Sequence, residues 1–268
     1  MLSYENIVTL KDLFFFRENK VILSNLNIKI KKGSITCIVG PSGAGKTTLL
    51  KIICGQVKPN SGSVHIFNKK IDNISAYYLN KLRKNIGMLF QSGALFNNIN
   101  VFENIAFPIR EHTNLDENMI EDLVSIKLHA VNLMSTKSLM PAQLSGGMRR
   151  RVAFARTIAL DPKLTLFDEP FAGQDPINKK ILLNLIKSFN SSFKSTSIIV
   201  THDIKTALLI SNYIYIISEG KVVCEGAPDY LKKLKNEYAK QIINGSEEGP
   251  LSFQYNNINN NGNSVFNI

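Results

Sequence analysis

One lysine, two adjacent carboxylates, a histidine and a glycine-rich loop are the residues of this chain best suited to chemistry. Gly40 to Thr48 reads G-P-S-G-A-G-K-T-T, which fits the phosphate-loop pattern G-x-x-x-x-G-K-S/T. The glycines permit a tight turn with successive N–H groups aimed at one centre, and a following helix adds positive potential there. Gly40, Pro41, Ser42, Gly43, Ala44, Gly45, Lys46, Thr47 and Thr48 are therefore the candidate nucleotide contacts. Lys46 can reach the β- and γ-phosphates, and the Thr47 hydroxyl can ligate Mg²⁺.

A phosphate loop holds a nucleotide without saying what is done with it. Hydrolysis also needs a second magnesium contact, a group that activates water and a sensor of the γ-phosphate. Leu164 to Glu169, L-T-L-F-D-E, is an apolar run ending in two carboxylates. Asp168 can hold Mg²⁺, directly or through water, and Glu169 can orient or deprotonate the attacking water. His202 follows a second apolar run, S-I-I-V-T, at a strand end where α/β sheets place their ligands. Gln91 follows I-G-M-L-F and offers an amide to the metal or the water. It can thereby link the nucleotide to the segment that comes next. Leu144 to Met148 reads L-S-G-G-M, with Ser145 capping a helix while Gly146 and Gly147 leave its N–H groups open. That is a second anion site. A single γ-phosphate does not need both sites from one subunit. Either the chains pair head to tail, each closing over the other's nucleotide, or this is an ordinary capped helix.

These residues need an α/β frame to position them. Ser34 to Val39 is apolar and β-branched and reads as a buried strand into the loop, and T-L-L-K-I-I-C reads as helix up to Gly55. Ile7 to Phe16 and Val21 to Ile30 read as paired strands, and Ser63 to Phe67 as another. Ala76 to Lys84 is a short helix and Asn85 to Phe90 a strand. From Ser92 the pattern turns helical, over Val101–Arg110, Glu117–Leu133 and the helix from Ser145 to Leu160. Asn178 to Phe189 is helix, Thr196 to Thr201 strand and Ile204 to Ser211 helix. Tyr213–Ser218 and Lys221–Glu225 form a hairpin across Glu219-Gly220. Asp229 to Asn244 reads as one basic amphipathic helix. Ser246 onward is polar and asparagine-rich, although Leu251, Phe253 and Tyr255 suit docking. Asn68 to Asp72, N-K-K-I-D, misses a guanine-reading N-K-x-D by one residue.

The 268 residues are 44% hydrophobic, enough to bury a sizeable core. A net charge of +11 suits nucleic acid, an anionic membrane surface or a nucleotide, and does not choose among them. Cys37, Cys54 and Cys224 are scattered, with no C-x-x-C, and read as reduced buried thiols. The first residues lack the basic-then-apolar pattern of a signal peptide. The longest apolar run, Ala207 to Ile217, is interrupted by Asn212 and too short to span a bilayer.

The ordered set of phosphate loop, Gln91, L-S-G-G-M, L-F-D-E and His202, over roughly residues 7 to 227, resembles the nucleotide-binding subunits of ABC transporters. The resemblance implies a P-loop ATPase with a RecA-like core, an antiparallel β subdomain and a helical signature subdomain at about 92–160. Together these make one ATPase domain over 7–245, followed by a tail at 246–268. It further implies ATP and Mg²⁺ as ligands and a homodimer with two composite sites. Ser145, Gly146, Gly147 and Asp175 would act across the dimer, with Glu169 as general base and His202 as γ-phosphate switch. Thr47, Gln91 and Asp168 would be the metal contacts. Two departures stand out. Arg17 occupies the place of the aromatic residue that usually underlies adenine, with Phe16 beside it. Ala172 to Asp175 reads A-G-Q-D where the family usually has S-A-L-D.

Within that family, Phe167–Pro176, Met88–Phe96, Asn100–Thr113 and G-P-L-S-F-Q-Y resemble the ATPases of Mla phospholipid-transport systems, which maintain outer-membrane lipid asymmetry. The implied partners are an integral-membrane permease, a periplasmic MCE lipid-binding ring and a small cytoplasmic STAS-domain protein. The permease's coupling helix would meet residues about 92–115, with the ATPase peripheral on the cytoplasmic face of the inner membrane. An importer of amino acids or other small solutes is the alternative within transport. DNA-repair ATPases share the fold but usually carry a long coiled coil or a zinc module between these motifs. The chain from Lys46 to Ser145 has no heptad array and no cysteine cluster, so no nucleic-acid partner is expected.

Overall fold

A computed structural model describes residues 6–234, 237–244, 246 and 248–249. Leu251, Phe253 and Tyr255, and almost all of the asparagine-rich tail, lie outside the described residues.

The chain opens with β1 (Asn6–Arg17) and β2 (Lys20–Lys31), an antiparallel pair in which inward Val8, Leu10 and Leu13 alternate imperfectly with exposed residues. β3 (Ile35–Val39) is buried at every position, as its mostly β-branched, polar-poor run demands. It feeds α1 (Lys46–Ile53) through the glycine-rich loop. β4 (Ser61–Ile66) and β5 (Lys69–Lys70) complete a four-stranded antiparallel sheet in the order β2-β1-β4-β5. α2 (Ala76–Arg83) leads into β6 (Ile86–Leu89).

A helical segment follows, with α3 (Val101–His112), α4 (Glu117–Ala130) and α5 (Gly146–Thr157). Asn100, Asp116 and Ser145 cap these three helices, each side chain accepting an N–H of the first turn. β7 (Leu164–Asp168), α6 (Pro176–Phe193), β8 (Thr196–Thr201), α7 (Ile204–Ile210), β9 (Tyr213–Ser218) and β10 (Lys221–Gly226) return the chain to the main sheet. That six-stranded sheet runs β10-β9-β3-β8-β7-β6. β9, β3, β8, β7 and β6 are parallel, and β10 is an antiparallel edge strand joined to β9. Glu219 and Gly220, both at positive φ, make the turn between β9 and β10.

The pleat sends alternate residues of these strands to two cores. Cys37, Val39, Phe167 and Ile199 face the helical side, where they meet Ile105, Leu128 and Phe154. Ile38, Leu166, Ile198 and Val200 face the other side, against Leu49 and Leu50 of α1 and Leu10, Leu23 and Ile28 of the small sheet. Each of these fully buried aliphatic side chains contributes about 1.5–3 kcal/mol. Phe154 of α5 stacks on Phe167 of β7 at 6.1 Å between ring centroids. This contact anchors the glycine-rich start of α5 to the strand that carries Asp168.

The elements expected from periodicity are present, with a split at the C-terminal end and two helices that stop short of their expected ends. The single helix expected over Asp229–Asn244 is two, α8 (Pro228–Lys233) and α9 (Glu237–Asn244). Leu234 is extended, at φ −68° and ψ 131°, and ends the first of them. Leu231 and Leu234 both pack on the helical-side core, and this local anchoring breaks the run that amphipathic spacing alone would continue. The expected helix to Leu160 ends at Thr157, and the one expected over Glu117–Leu133 ends at Ala130. Cys37, Cys54 and Cys224 are free and buried, as read from the sequence. Burial pushes the Cys37 thiol up to about 12. Among the described residues no helix is long and apolar enough to cross a membrane.

Candidate active site

Parallel strands in register bring their C-terminal ends to one edge, and the candidate residues gather there. Val39 pairs with Thr201, so Gly40 and His202 emerge side by side, and Asp168 pairs with Val200, so it and Glu169 leave the adjoining strand just before that level. Leu89 pairs with Phe167, which carries Gln91 out level with Glu169 on the adjoining strand. The phosphate loop leaves β3 where a β-carbon is not tolerated. A methyl group at Gly40 would lie 2.2 Å from the Ile217 carbonyl oxygen of β9. Gly43 and Gly45 take φ of 80° and 88°, the left-handed region that lets the loop fold around one centre. Gly45 also rests on Leu23 and Ile22 of β2, which braces the loop against the small sheet.

Lys46 opens α1 and is buried, at 7% exposure. Its ammonium donates to the carbonyls of Gly40 (2.7 Å) and Pro41 (2.8 Å) and lies 3.9 Å from Glu169 Oε1. Burial pulls the Lys46 pKa down, against the pull of the Glu169 and Asp168 charges. The Thr47 hydroxyl donates to Asp168 Oδ1 at 3.0 Å. Glu169 sits at φ 45°, sparsely populated for a residue with a side chain, with its N–H bonded to Val200 O at 3.0 Å. Its other carboxylate oxygen lies 3.0 Å from His202 Nδ1. A carboxylate there only accepts, so the imidazole proton rests on Nδ1. Glu169 thus bridges the lysine and the histidine.

Mg²⁺ fits the oxygen donors present. Thr47 and Asp168 bring a hydroxyl and a carboxylate together, and the lone lysine faces two carboxylates, so added positive charge is welcome. Burial raises the Asp168 pKa, with Glu169 adding to the rise and the Thr47 hydrogen bond opposing it. A carboxyl whose folded pKa exceeds its unfolded one costs stability while ionised, and the cost is relieved as pH falls through the raised value. Asp168→Asn should therefore raise the melting temperature of the free chain at pH 7 and narrow its difference from wild type near pH 4, while magnesium-dependent turnover is lost. A variant no more stable than wild type at pH 7 in thermal unfolding would contradict that burial cost.

The remaining candidates fall into two groups. Gln91 is exposed just past β6, where its carbonyl accepts from Arg150 of α5. Arg17 is exposed at the turn of the β1–β2 hairpin, opposite Lys20, and Phe16 pairs with Val21 beside it. Among the described residues, Ser145 and Asp175 take hydrogen bonds from close sequence neighbours, each at the start of its own helix. Ser145 accepts the Met148 N–H at 3.2 Å. Gly146 opens to free space, whereas a methyl group at Gly147 would lie 2.3 Å from the Asn178 side chain. Asn178 Nδ2 in turn donates to Asp175 Oδ2 at 2.6 Å. The second glycine therefore serves packing onto α6, and the open face at the start of α5 belongs to Ser145 and Gly146. Sequence reading missed Asn178, Arg150 and Arg156, the last donating to Gly93 O at 3.0 Å.

Comparison with known proteins agrees with this geometry. The family model described as ABC transporter matches residues 23–172. The chain belongs to the ABC transporter ATP-binding family. Like its family, this ABC subunit binds and hydrolyses ATP. It is 50% identical over 94% of its length, and 95% of the relative's, to the intermembrane phospholipid transport system ATP-binding protein MlaF of Haemophilus influenzae. It is 43% identical to the protein of the same name from Escherichia coli K12, over 94% of each chain. Among solved structures, the ABC fold here superposes with a TM-score of 0.77 on a dimeric ATP-binding cassette bound to ADP and Pi. That match has 31% identity and covers 82% of this chain and 98% of the other.

Proposed function

We propose that this subunit powers phospholipid movement between the inner and outer membranes, acting as a pair of copies docked on a separate membrane permease. The observation that supports the reading most is the identity, half of all residues over nearly the whole chain, to a phospholipid-transport ATPase. The partners are an integral-membrane permease, an MCE lipid-binding protein and a STAS-domain protein, with the subunit peripheral on the cytoplasmic face. The ATPase domain spans 7–245, with a helical subdomain at about 92–160, and the tail at 246–268 docks on a partner. An open groove of about 370 Å³ between α2, β6 and α3 suits the permease. It is lined by Arg83, Lys84, Phe96, Phe107, His112 and Arg156. Phe96 and Phe107 meet edge to face at 5.1 Å and are both more than two-fifths exposed, an apolar foothold ringed by positive charge.

Each composite site takes its phosphate loop from one copy and Ser145–Gly147 and Asp175 from the other. The N–H groups of Gly40–Thr48 and Lys46 hold the phosphates. Arg17, with Phe16, lies under the base, since a guanidinium can stack on it. Thr47, Asp168 and Gln91 hold Mg²⁺, which neutralises charge developing on the phosphates when bound. Glu169, fixed by Lys46 on one side and His202 on the other, accepts the proton of the attacking water. His202 is held through Nδ1 by Glu169, which leaves Nε2 as the ring atom that meets the γ-phosphate.

The test is purification of the full complex from membranes, with identification of the subunits and lipids that accompany the chain. Co-purifying permease and phospholipid, and ATP hydrolysis stimulated in phospholipid proteoliposomes, are expected. DNA-stimulated, salt-sensitive hydrolysis without a permease would overturn the reading.

A further inference from the structure

Arg150 is the one described residue of α5 whose side chain grips both turns that flank the hydrolytic edge. It lies one helical turn before Phe154, the residue that fixes α5 to β7. Its Nη1 donates to the main-chain carbonyls of Phe90 (3.2 Å) and Gln91, and its Nη2 to the carbonyl of Ala172 (3.4 Å). The first two acceptors follow β6. The third lies in the turn that begins at Glu169, because the Ala172 N–H bonds the Glu169 carbonyl at 3.2 Å. One guanidinium therefore ties the helix of the Ser145–Gly147 motif to the Gln91 segment and to the Glu169 turn.

Packing alone does not call for a cation here. Arg150 is half-buried, burial lowers its pKa, and no carboxylate among the described residues makes an ion pair with it. Carbonyl acceptors return only modest stability against the desolvation of a charge. What an arginine supplies, and a lysine or methionine does not, is a planar fork that holds two separate segments at a fixed spacing. The acceptors are main-chain atoms, so the grip does not depend on which side chains Gln91 or Ala172 carry.

We propose that Arg150 is a positioning residue for ATP hydrolysis. It sets Gln91 and Glu169 relative to each other and passes movement of the signature helix to both. The inference rests on the roles given above to Glu169 and Gln91. When a second copy's nucleotide engages Ser145 and Gly146, α5 shifts as a rigid rod, and the two turns shift with it through the Arg150 fork.

The experiment uses the full transporter complex with Arg150→Met, which keeps the side-chain length, and Arg150→Lys, which keeps the charge. Steady-state ATP hydrolysis, ATP affinity and thermal unfolding are measured for each. Displacing a reacting group by about an ångström costs up to about a hundredfold. Arg150→Met should lower kcat about tenfold or more with the KM for ATP within about twofold, and Arg150→Lys should fall between it and wild type. Combined with Glu169→Gln, Arg150→Met should cost little further turnover, because coupled residues are not additive. Should Arg150→Met fail to fold, Arg150→Lys and its combination with Glu169→Gln decide alone. Wild-type kcat in the Lys and Met variants, a rise in KM that accounts for the loss, or full additivity with Glu169→Gln would overturn the inference. If Glu169→Gln by itself keeps normal turnover, the reading of Glu169 fails instead, which that single variant reveals separately.

Discussion

Glu169→Gln should lower the turnover of ATP on the order of a hundredfold or more while ATP binds at least as tightly as before. The loss follows from what the amide cannot do, since it has no lone pair basic enough to take a proton from water, and general-base catalysis contributes 10²–10⁴-fold. The retained binding follows from what it still does. Gln keeps the volume, can accept from His202 Nδ1 as the carboxylate does at 3.0 Å, and removes one negative charge from beside the phosphates. The left-handed backbone at φ 45° is unaffected by the side-chain change, so the turn toward Ala172 persists. Single-turnover hydrolysis on the purified complex, with nucleotide affinity measured alongside, checks both halves. Turnover within a few fold of wild type would remove Glu169 from the role of base and would direct attention to His202.

The chemistry legible in the sequence was the part that depends on residue type at short spacing. Gly40–Thr48, Asp168-Glu169 and His202 could each be read beside an apolar run, because a buried parallel strand leaves a short, nearly continuous hydrophobic stretch and its ligands follow its last residue. The sheet order, with the loop strand β3 at the centre between β8 and β9, was not legible. It is set by side chains meeting across the fold, such as Phe154 on Phe167. Arg150 and Arg156 were missed for a related reason. Their acceptors are main-chain carbonyls of Phe90, Gln91, Gly93 and Ala172, and a carbonyl has no residue signature. Gly147 looked like a bare anion-binding glycine, yet its missing β-carbon makes room for Asn178, a contact that no local pattern encodes. The split between α8 and α9 was hidden for the opposite reason. Helical spacing ran on through Leu234, and only packing ended it.

Lys46→Met should weaken ATP binding on the order of ten- to a hundredfold while leaving the free protein folded. Methionine matches the buried aliphatic stem of a residue only 7% exposed, so the space between α1 and the sheet stays filled. The ammonium is what goes, and charge-assisted contacts to phosphate are worth about 1.5–3 kcal/mol each. Two effects on the free protein oppose each other. Burial of the ammonium, which pulls the Lys46 pKa down, no longer costs anything, but Asp168 and Glu169 lose the cation that lies 3.9 Å from Glu169. Asp168, whose pKa burial raises and the Lys46 charge holds down, should then keep its proton to higher pH, so the variant's stability rises more on mild acidification than that of wild type. With ATP present the comparison is one-sided. Ligand stabilisation grows as RT ln(1 + [L]/Kd), so a hundredfold weaker Kd removes about 2.7 kcal/mol of it at saturating nucleotide. Thermal unfolding with and without Mg-ATP therefore separates the two readings of Lys46. A lysine that only tethers the Gly40 and Pro41 carbonyls would leave the ATP-induced rise in Tm intact. A lysine that holds phosphate shrinks that rise by the stabilisation its contacts gave, up to about 2.7 kcal/mol for a hundredfold weaker Kd.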